Sequence, residues 1–538
     1  MARERLSRLI AALRARVIRT RNRRVWLSLY RSIYLGAVAL FSAAVRLRFG
    51  NRASLYLRRG MARQDWTPGI SDVDLIAILD DGTSDKTETA QKFWRLYSRF
   101  KRVFPFFGEL QITNPLEIRD YARRGGWRAR EMPGWRPLGG KPALGLVPEE
   151  NASTLKLFHL QEALAAYLSL AQTYFEAAGK KEPPEFGFKV SKFFIDIFRH
   201  ERAAAQGALE VPGRQAFLSE MGSGVAPESA EILRRPDAID RNQARRLLLE
   251  AMNFADDACG RYFSDEHQVR HEVESPNATE WYNLADSPDP HFALWSRRMR
   301  TLAALHIPGG CGFFMDNLFR WFVVLDHPPT PEHFEVLAAR MDRWHLRENA
   351  FSAPGWALTY NILQGLLYSP FLDSPFLAHG LGPAGNPRKI WLLKHSRRHQ
   401  IWAQYYRLQW NIDTSRLSAP GPEDMRMLAR QTAAALGLSA RVLALDSKAG
   451  HNAYRIFFLL TRMLAPRLYL DDGLPLDAQD ADAVLGRYRA KFPESASWLE
   501  RLESEWLSLP ETEANSAPAE AFFRSYWPFF ESQHSPNS

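Results

Sequence analysis

The sequence predicts an α+β protein, in which a small α/β sheet unit is followed by a large all-helical body. Three observations lead there. Between Ala53 and Thr113, extended apolar runs flank one stretch of helical periodicity; between Pro115 and Glu149 the chain turns rich in Gly, Pro and Arg; from Asn151 onward apolar residues recur at helical spacing. With 538 residues, 46% of them hydrophobic, several cores are expected.

The first element is a basic arm. Residues 1–60 hold fifteen Arg, no Lys and a single acid, Glu4, so this segment carries +14 while the whole chain carries +10. The body is therefore close to neutral. The run "RERLSRLIAALRARVIRTRNRR" reads as an Arg-rich helix, either solvated or lying on an anionic surface of lipid or nucleic acid. Beyond it, "SIYLGAVALFSAAV", Ser32 to Val45, is apolar between Arg31 and Arg46. Fourteen residues are too few to span a bilayer and lie too far from Met1 for a secretory signal, so the expectation is a buried helix, with interfacial membrane contact as the alternative. The two cysteines, Cys259 and Cys311, form no CxxC pair, which excludes a disulfide framework or a thiolate zinc module and fits a cytoplasmic protein.

The sheet unit comes next. "ASLYLRRG" ends at Gly60 like a strand entering a turn, "SDVDLIAILDD" is a strand, "DKTETAQKFWRLYSRFKRV" is helical, and "FFGELQIT" is another strand. Within it, "GMARQDWTPGISDVDL" sets Asp72 and Asp74 one residue apart, twelve positions after Gly60. Alternation in a strand points both carboxylates to one face while Val73 and Leu75 turn inward. Like charges that close repel, and a divalent cation is the usual means of making both ionised groups favourable. Asp80 and Asp81, before Gly82, read as turn residues.

These residues resemble the signature of the polymerase β-type nucleotidyltransferase superfamily: a short strand, Gly followed by Ser or Gly, about ten residues, then Asp, a hydrophobic residue and Asp. The filler is similar to that of bacterial members that modify small molecules or proteins, and the outline is like that of aminoglycoside adenylyltransferases. The resemblance covers roughly residues 50–115. It implies Mg²⁺-dependent transfer of a nucleoside monophosphate from an NTP, ATP first among them, to a hydroxyl-type acceptor with release of pyrophosphate. Asp72 and Asp74 match the metal ligands, and Glu109 in "FFGELQI" matches the third carboxylate, which would complete a second Mg²⁺ site and help deprotonate the acceptor. Glu109 shares a strand face with Gln111 and opposes Leu110.

The nucleotide-binding set implied is Gly60, Met61, Arg63, Ser71 and, from "FGFKVSKFFIDIFR", Lys192 on the triphosphate, with Lys189 three residues earlier. Met61 departs from the pattern, since a thioether cannot donate a hydrogen bond as serine would. Phosphate binding would then rest on backbone N–H groups and on Arg58, Arg59 and Arg63. The alternative is a catalytically degenerate domain that serves as a regulatory or partner-binding module. The acceptor expected is a small molecule or a protein ahead of RNA.

The organisation expected is a basic helical arm over 1–48, a nucleotidyltransferase domain over 49–125, a Gly/Pro/Arg-rich linker over 126–150, a helical domain over 151–330 and a C-terminal helical domain over 331–538. In "STLKLFHLQEALAAYLSLAQTYFEAAG", Leu157, Leu160, Leu164, Leu168, Ala171 and Phe175 form one stripe. Thr330-Pro331 and Pro422 open further helices, and no repeat of fixed period is visible. The pairs His267/His271 and His395/His399 have helical spacing but no third ligand nearby in sequence. The run Arg388 to Trp410 interleaves cations with aromatic rings, a pattern that serves either a core or single-stranded nucleic acid.

Overall fold

The structure, a computed structural model, describes residues 12–20, 23–79, 86–115, 118, 132, 134–139, 152–177, 182–208, 211, 213–219, 224–265, 310–315, 321–347, 355–368, 391–392, 401–402, 408–410, 416–418, 486–487, 489–491 and 493. The protein is α+β, with a small mixed sheet near the N-terminus and mostly helical elements after it.

Helix α1 (Arg24–Phe49) buries Tyr34, Ala37, Val38, Phe41, Val45 and Phe49, a set spaced by three and four that makes one continuous inner face. This face covers a four-stranded sheet built from β1 (Ala53–Leu57), β2 (Val73–Leu79), β3 (Phe107–Thr113) and β4 (Arg136–Gly139), in the order β3-β2-β1-β4. Strands β1 and β2 are antiparallel, and β2 and β3 run parallel because α2 (Lys86–Val103) carries the chain back between them. Leu55, Val73, Leu75, Ala77, Leu110 and Ile112 fill the core beneath. Phe41 is the keystone of that packing: its ring lies edge-on to Phe93, Tyr97, Phe100 and Phe107, at centroid separations of 5.1 to 6.1 Å.

Strand β4 corrects the expectation of a linker over 126–150. Its residues pair antiparallel with β1, Leu57 opposite Arg136 and Tyr56 opposite Pro137, so a stretch that reads as punctuation closes the sheet edge. Pro is tolerated there because edge strands leave one row of backbone groups unpaired.

The helical body opens with α3 (Ala152–Glu176), whose stripe from Leu157 to Phe175 is buried as the periodicity predicts. Its principal partner is α4 (Phe186–Gln206), and His159 and His200 meet between them, Nδ1 to Nδ1 at 3.1 Å. Gly187 permits the close approach of α4 to the turn at Pro236, two helices further along the chain, since a Cβ there would fall 2.1 Å from the Pro236 carbonyl oxygen. Short helices α5 (Arg214–Ser219) and α6 (Pro227–Arg234) lead into α7 (Arg241–Asp265), which packs on α3 and α4.

The body is not all helical. Strands β5 (Gly310–Met315), β6 (Trp321–Leu325), β7 (Gly355–Thr359) and β10 (Leu408–Trp410) form a second four-stranded sheet in the order β10-β5-β6-β7. Two short strands, β8 (Trp391–Leu392) and β9 (Ile401–Trp402), pair separately. In the second sheet β5 and β6 are antiparallel, β6 and β7 are parallel across α8 (Pro331–Arg347), and β10 is antiparallel to β5. This is the connectivity of the first sheet, strand for strand: a hairpin, a helical crossover to a parallel strand, and a later strand on the far edge of the first. One core cluster runs from Leu157 through Val323 and Leu358 to Leu417, and includes α9 (Tyr360–Leu367). The expected helix starts after Pro422 lie outside the described residues.

Because Phe41 joins α1, α2 and β3 in one contact set, Phe41→Ala should destabilise the N-terminal unit by about 3–5 kcal/mol, read as a lower midpoint in urea denaturation followed by circular dichroism.

Candidate active site

Asp74 lies in β2 between Val73 and Leu75, both at 0% exposure, so its side chain leaves the core by alternation; Asp72, just before the strand, follows the same direction. Both carboxylates face Gly108 at the start of β3. A Cβ on Gly108 would fall 2.6 Å from Asp72 Cβ and 2.7 Å from Asp74 Oδ1, so only glycine leaves room for the pair. Asp74 Oδ1 accepts from the Glu109 backbone N–H at 3.0 Å, which locks the two parallel strands together at this point.

Glu109 is drawn in through cations. Its Oε2 lies 3.6 Å from Arg58 Nη1 and 3.5 Å from Arg59 Nη1, and the same Arg59 nitrogen is 3.7 Å from Asp74 Oδ2. Gln111 Nε2 donates to Glu109 Oε1 at 2.7 Å. Arg59 thus bridges two of the three predicted carboxylates. Its backbone sits at φ 53, a left-handed conformation uncommon for a residue other than glycine, at the start of the helical turn Arg59–Ala62. Arg58 is fully buried with its guanidinium over the Trp135 ring, at 5.7 Å.

The electrostatics report the same convergence. Burial raises the Tyr97 hydroxyl, and Asp74, Asp72 and Glu109 each raise it further; that hydroxyl donates to the Gly108 carbonyl at 2.7 Å, as does Lys101 Nζ at 2.7 Å. The Asp72 carboxyl keeps an open edge, yet loss of solvent raises its pKa, Arg14 pulls it down, and Asp74 adds to the rise. Arg14 belongs to the basic arm, over 12–20. Its Nε donates to the Gly69 carbonyl at 2.7 Å and Tyr34 Oη accepts from Gly69 N–H at 3.0 Å, so arm and α1 together hold the turn that delivers Asp72. Not every arginine of the arm is therefore solvated.

Lys192 comes from α4 to the same place. It acts on Asp72, and Asp74 and Arg59 act on it; burial lowers its pKa, Arg214 lowers it further, and Asp196 opposes both. The docking of α4 rests on an ion network. Arg199 Nη1 contacts Asp65 Oδ2 at 3.0 Å and Asp196 Oδ1 at 2.9 Å, while Arg214 holds Asp196 through Nε and Nη2, both at 3.0 Å, and lies 3.7 Å from Asp65 Oδ2. Burial alone would raise the Asp196 carboxyl, but Arg214 and Arg199 bring it below its ordinary value. Gly60 supports this network, because its carbonyl accepts from Asp65 N–H at 2.7 Å and a Cβ would stand 2.8 Å from the Asp65 carbonyl oxygen.

Three residues of the predicted nucleotide-binding set lie elsewhere. Met61 is 3% exposed and packs in the core of the sheet unit, so its side chain does not face the carboxylates. Ser71 Oγ accepts from Thr67 N–H at 2.9 Å, capping the turn before Asp72. Arg63 is exposed, with Nε 3.4 Å from where a Gly134 Cβ would be. Gly108, Arg14, Tyr97 and Lys101 are neighbours that the motif does not mark. Gly108 was not within reach of sequence reasoning, since Val73 pairs with Phe107 and Leu75 with Leu110, and the register shift between them sets Gly108 and Glu109 together opposite Asp74.

Among the described residues, no group of three or more His, Cys, Asp or Glu side chains is arranged to hold a metal ion. Asp72 and Asp74 suit a hard cation as a pair of carboxylates on one face. Glu109 is committed to Arg58 and Arg59, and the expected closed set of three ligands is not formed. The pairs His267/His271 and His395/His399, the turn residues Asp80 and Asp81, and most of the cation–aromatic run from Arg388 to Trp410 lie outside the described residues. Comparison with protein-family models, with curated proteins and with solved structures gives no match for this chain.

Since the folded state raises the Asp72 pKa, the proton is favoured on folding: the associated stability is fully present below the ordinary value of 3.8 and lost as pH rises through the higher folded value. Asp72→Asn should therefore melt higher than the parent at pH 7 without metal, with the gap closing below about pH 4. A thermal-melt series in chelator across that range checks it. Gly108→Ala should displace both carboxylates and lower the melting temperature, read in the same assay.

Proposed function

We propose that this protein is a Mg²⁺-dependent nucleotidyltransferase that moves a nucleoside monophosphate from an NTP, ATP foremost, to a hydroxyl-type acceptor in a reducing cytoplasm. The observation that carries this reading is the placement of Asp72 and Asp74 side by side against Gly108, on a strand–turn–strand unit that resembles the nucleotidyltransferase signature. Two carboxylates held so close on one face repel each other, and a divalent cation between them relieves that repulsion. In this reading Asp72 and Asp74 hold Mg²⁺, which would supply charge stabilisation at the phosphate under attack.

The chain's own residues have definable parts. Lys192 and Arg59 place positive charge beside the carboxylates, where a triphosphate would bring four negative charges or nearly so; both cations are already desolvated or paired, so their attraction for phosphate is strong. Arg59 takes the place of a counter-ion for Asp74 and Glu109. On transfer of Arg59 to a phosphate oxygen, Glu109 would keep Arg58 and Gln111 but lose one of its two cations, which raises its readiness to accept a proton from the acceptor hydroxyl. Arg14 and Tyr34 keep the Thr67–Ser71 turn, and with it Asp72, in position. Phosphate contact at Gly60 and Met61 rests on backbone N–H groups alone, because the Met61 side chain is in the core.

A second reading, a catalytically silent unit that serves partner binding, draws on one observation, the packing of Met61 as a core residue where the signature has Ser or Gly. Titration separates the two. Under the enzymatic reading, an NTP with Mg²⁺ raises the melting temperature of the parent, Asp74→Asn abolishes that rise, and pyrophosphate is released only by the parent. No NTP-dependent shift in the parent under any Mg²⁺ concentration would leave the silent unit. Arg59→Ala should bind Mn²⁺ about tenfold more tightly than the parent in the absence of nucleotide, since it removes the competing cation. Met61→Ser should destabilise the fold by about 2–4 kcal/mol in urea denaturation, because it vacates a core position.

A further inference from the structure

We infer that the outer face of α1, with the exposed arginines of the arm, is a docking surface for an anionic lipid bilayer, on which the protein lies without crossing it. This inference is independent of the nucleotidyltransferase reading. Helix α1 is apolar on both sides. Its inner face is the Tyr34–Phe41–Phe49 stripe, while its outer face exposes Leu29 at 46%, Ile33 at 42%, Leu40 at 59% and Leu47 at 90%. At 100° per residue these four and Trp26 fall within roughly 60° of one another, along about 30 Å of helix. Exposed large apolar side chains scattered singly are ordinary, but a continuous stripe of this length marks a contact surface.

Charge selects the occupant. No acidic residue occurs between Glu4 and Asp65, and exposed arginines stand at both ends of the stripe, Arg23 and Arg24 at the first and Arg46 and Arg48 at the last. A second copy docking α1 on α1, parallel or antiparallel, would set arginines against arginines with no carboxylate on either helix to join them. A nucleic acid would satisfy the arginines but offers nothing to the leucines. An anionic membrane satisfies both at once, with side chains entering the acyl boundary and guanidinium groups at the headgroups.

Spanning is excluded by the inner face. By length and composition, the segment Arg24–Arg52, longer than the apolar stretch Ser32–Val45 at its centre, is long and apolar enough to cross a membrane. Yet Phe41 and Phe49 are at 0% and 4% exposure in the core of the sheet unit, and pulling them out would dismantle it. The helix is therefore held at the protein surface, and the bilayer meets only its outer side.

The test is sedimentation of the full chain with vesicles of phosphatidylcholine alone and of phosphatidylcholine with phosphatidylglycerol in equal parts. The bound fraction should rise at least about tenfold with the anionic lipid and fall again in high salt. Leu29→Gln with Leu40→Gln, both exposed so that folding survives, should remove most of the binding at an unchanged melting temperature. Absence of binding to anionic vesicles, equal binding to neutral ones, or full binding by the double variant would each overturn the inference. So would light scattering that finds a dimer dissolved by the double variant, which gives the face to a second copy, or binding to single-stranded RNA that anionic vesicles do not displace.

Discussion

The relation between the sheet unit and the helical body turns on one partly buried ion network: Asp65 and Asp196 held by Arg199 and Arg214. Asp65 stands in the turn between β1 and β2; Asp196 and Arg199 lie on α4; Arg214 opens α5. Charges withdrawn from water are tolerated only when each finds a partner, so the network is satisfied in one relative placement of the two parts. That placement carries Lys192, one helical turn before Asp196, to the carboxylates of β2. The arrangement of the candidate site therefore depends on contacts outside it.

Within the site, cations gather on a small set of acids. Arg14, Lys101 and Lys192 act on Asp72, while Arg58 and Arg59 hold Glu109 and Arg59 also holds Asp74. Such a cluster suits a polyanion accompanied by its own metal, because both signs of charge are present and partly desolvated before a ligand arrives. The left-handed backbone of Arg59 fits this economy of space, since the turn it opens must bring a long cationic side chain back over the strand from which it has just emerged.

Two sheets with one connectivity appear in a chain whose sequence has no visible repeat. The second sheet carries no acid in β5, β6 or β7, where the first has Asp74 and Glu109, and its hairpin between Met315 and Trp321 is far shorter than the turn from Leu57 to Val73. The shared topology follows from the same physical rule: a hairpin, then a parallel strand that requires a helical crossover. The differences lie where chemistry would sit. The second sheet contributes Val323, Val324 and Leu358 to the large core, and its strands are read as core rather than as site.

Much of the protein was legible in one dimension. The alternation in "SDVDLIAIL" places Asp72 and Asp74 on one face of a strand, the stripe from Leu157 to Phe175 makes α3, and the acid-free arm is plain from the count of arginines. These are local properties, governed by backbone period and side-chain type. Other features depend on which distant segments meet. That Gly108 makes room for two carboxylates, that Arg14 reaches the Gly69 turn, that Met61 packs inward and that 136–139 closes a sheet edge are consequences of strand order and docking. The apolar stretch of α1 is the sharpest case: composition makes it apolar all round, and only packing decides that Phe41 faces the core while Leu40 faces outward. Periodicity fixes which residues share a face, but the choice of face belongs to the partner surface, and that surface is assembled from residues far apart in the chain.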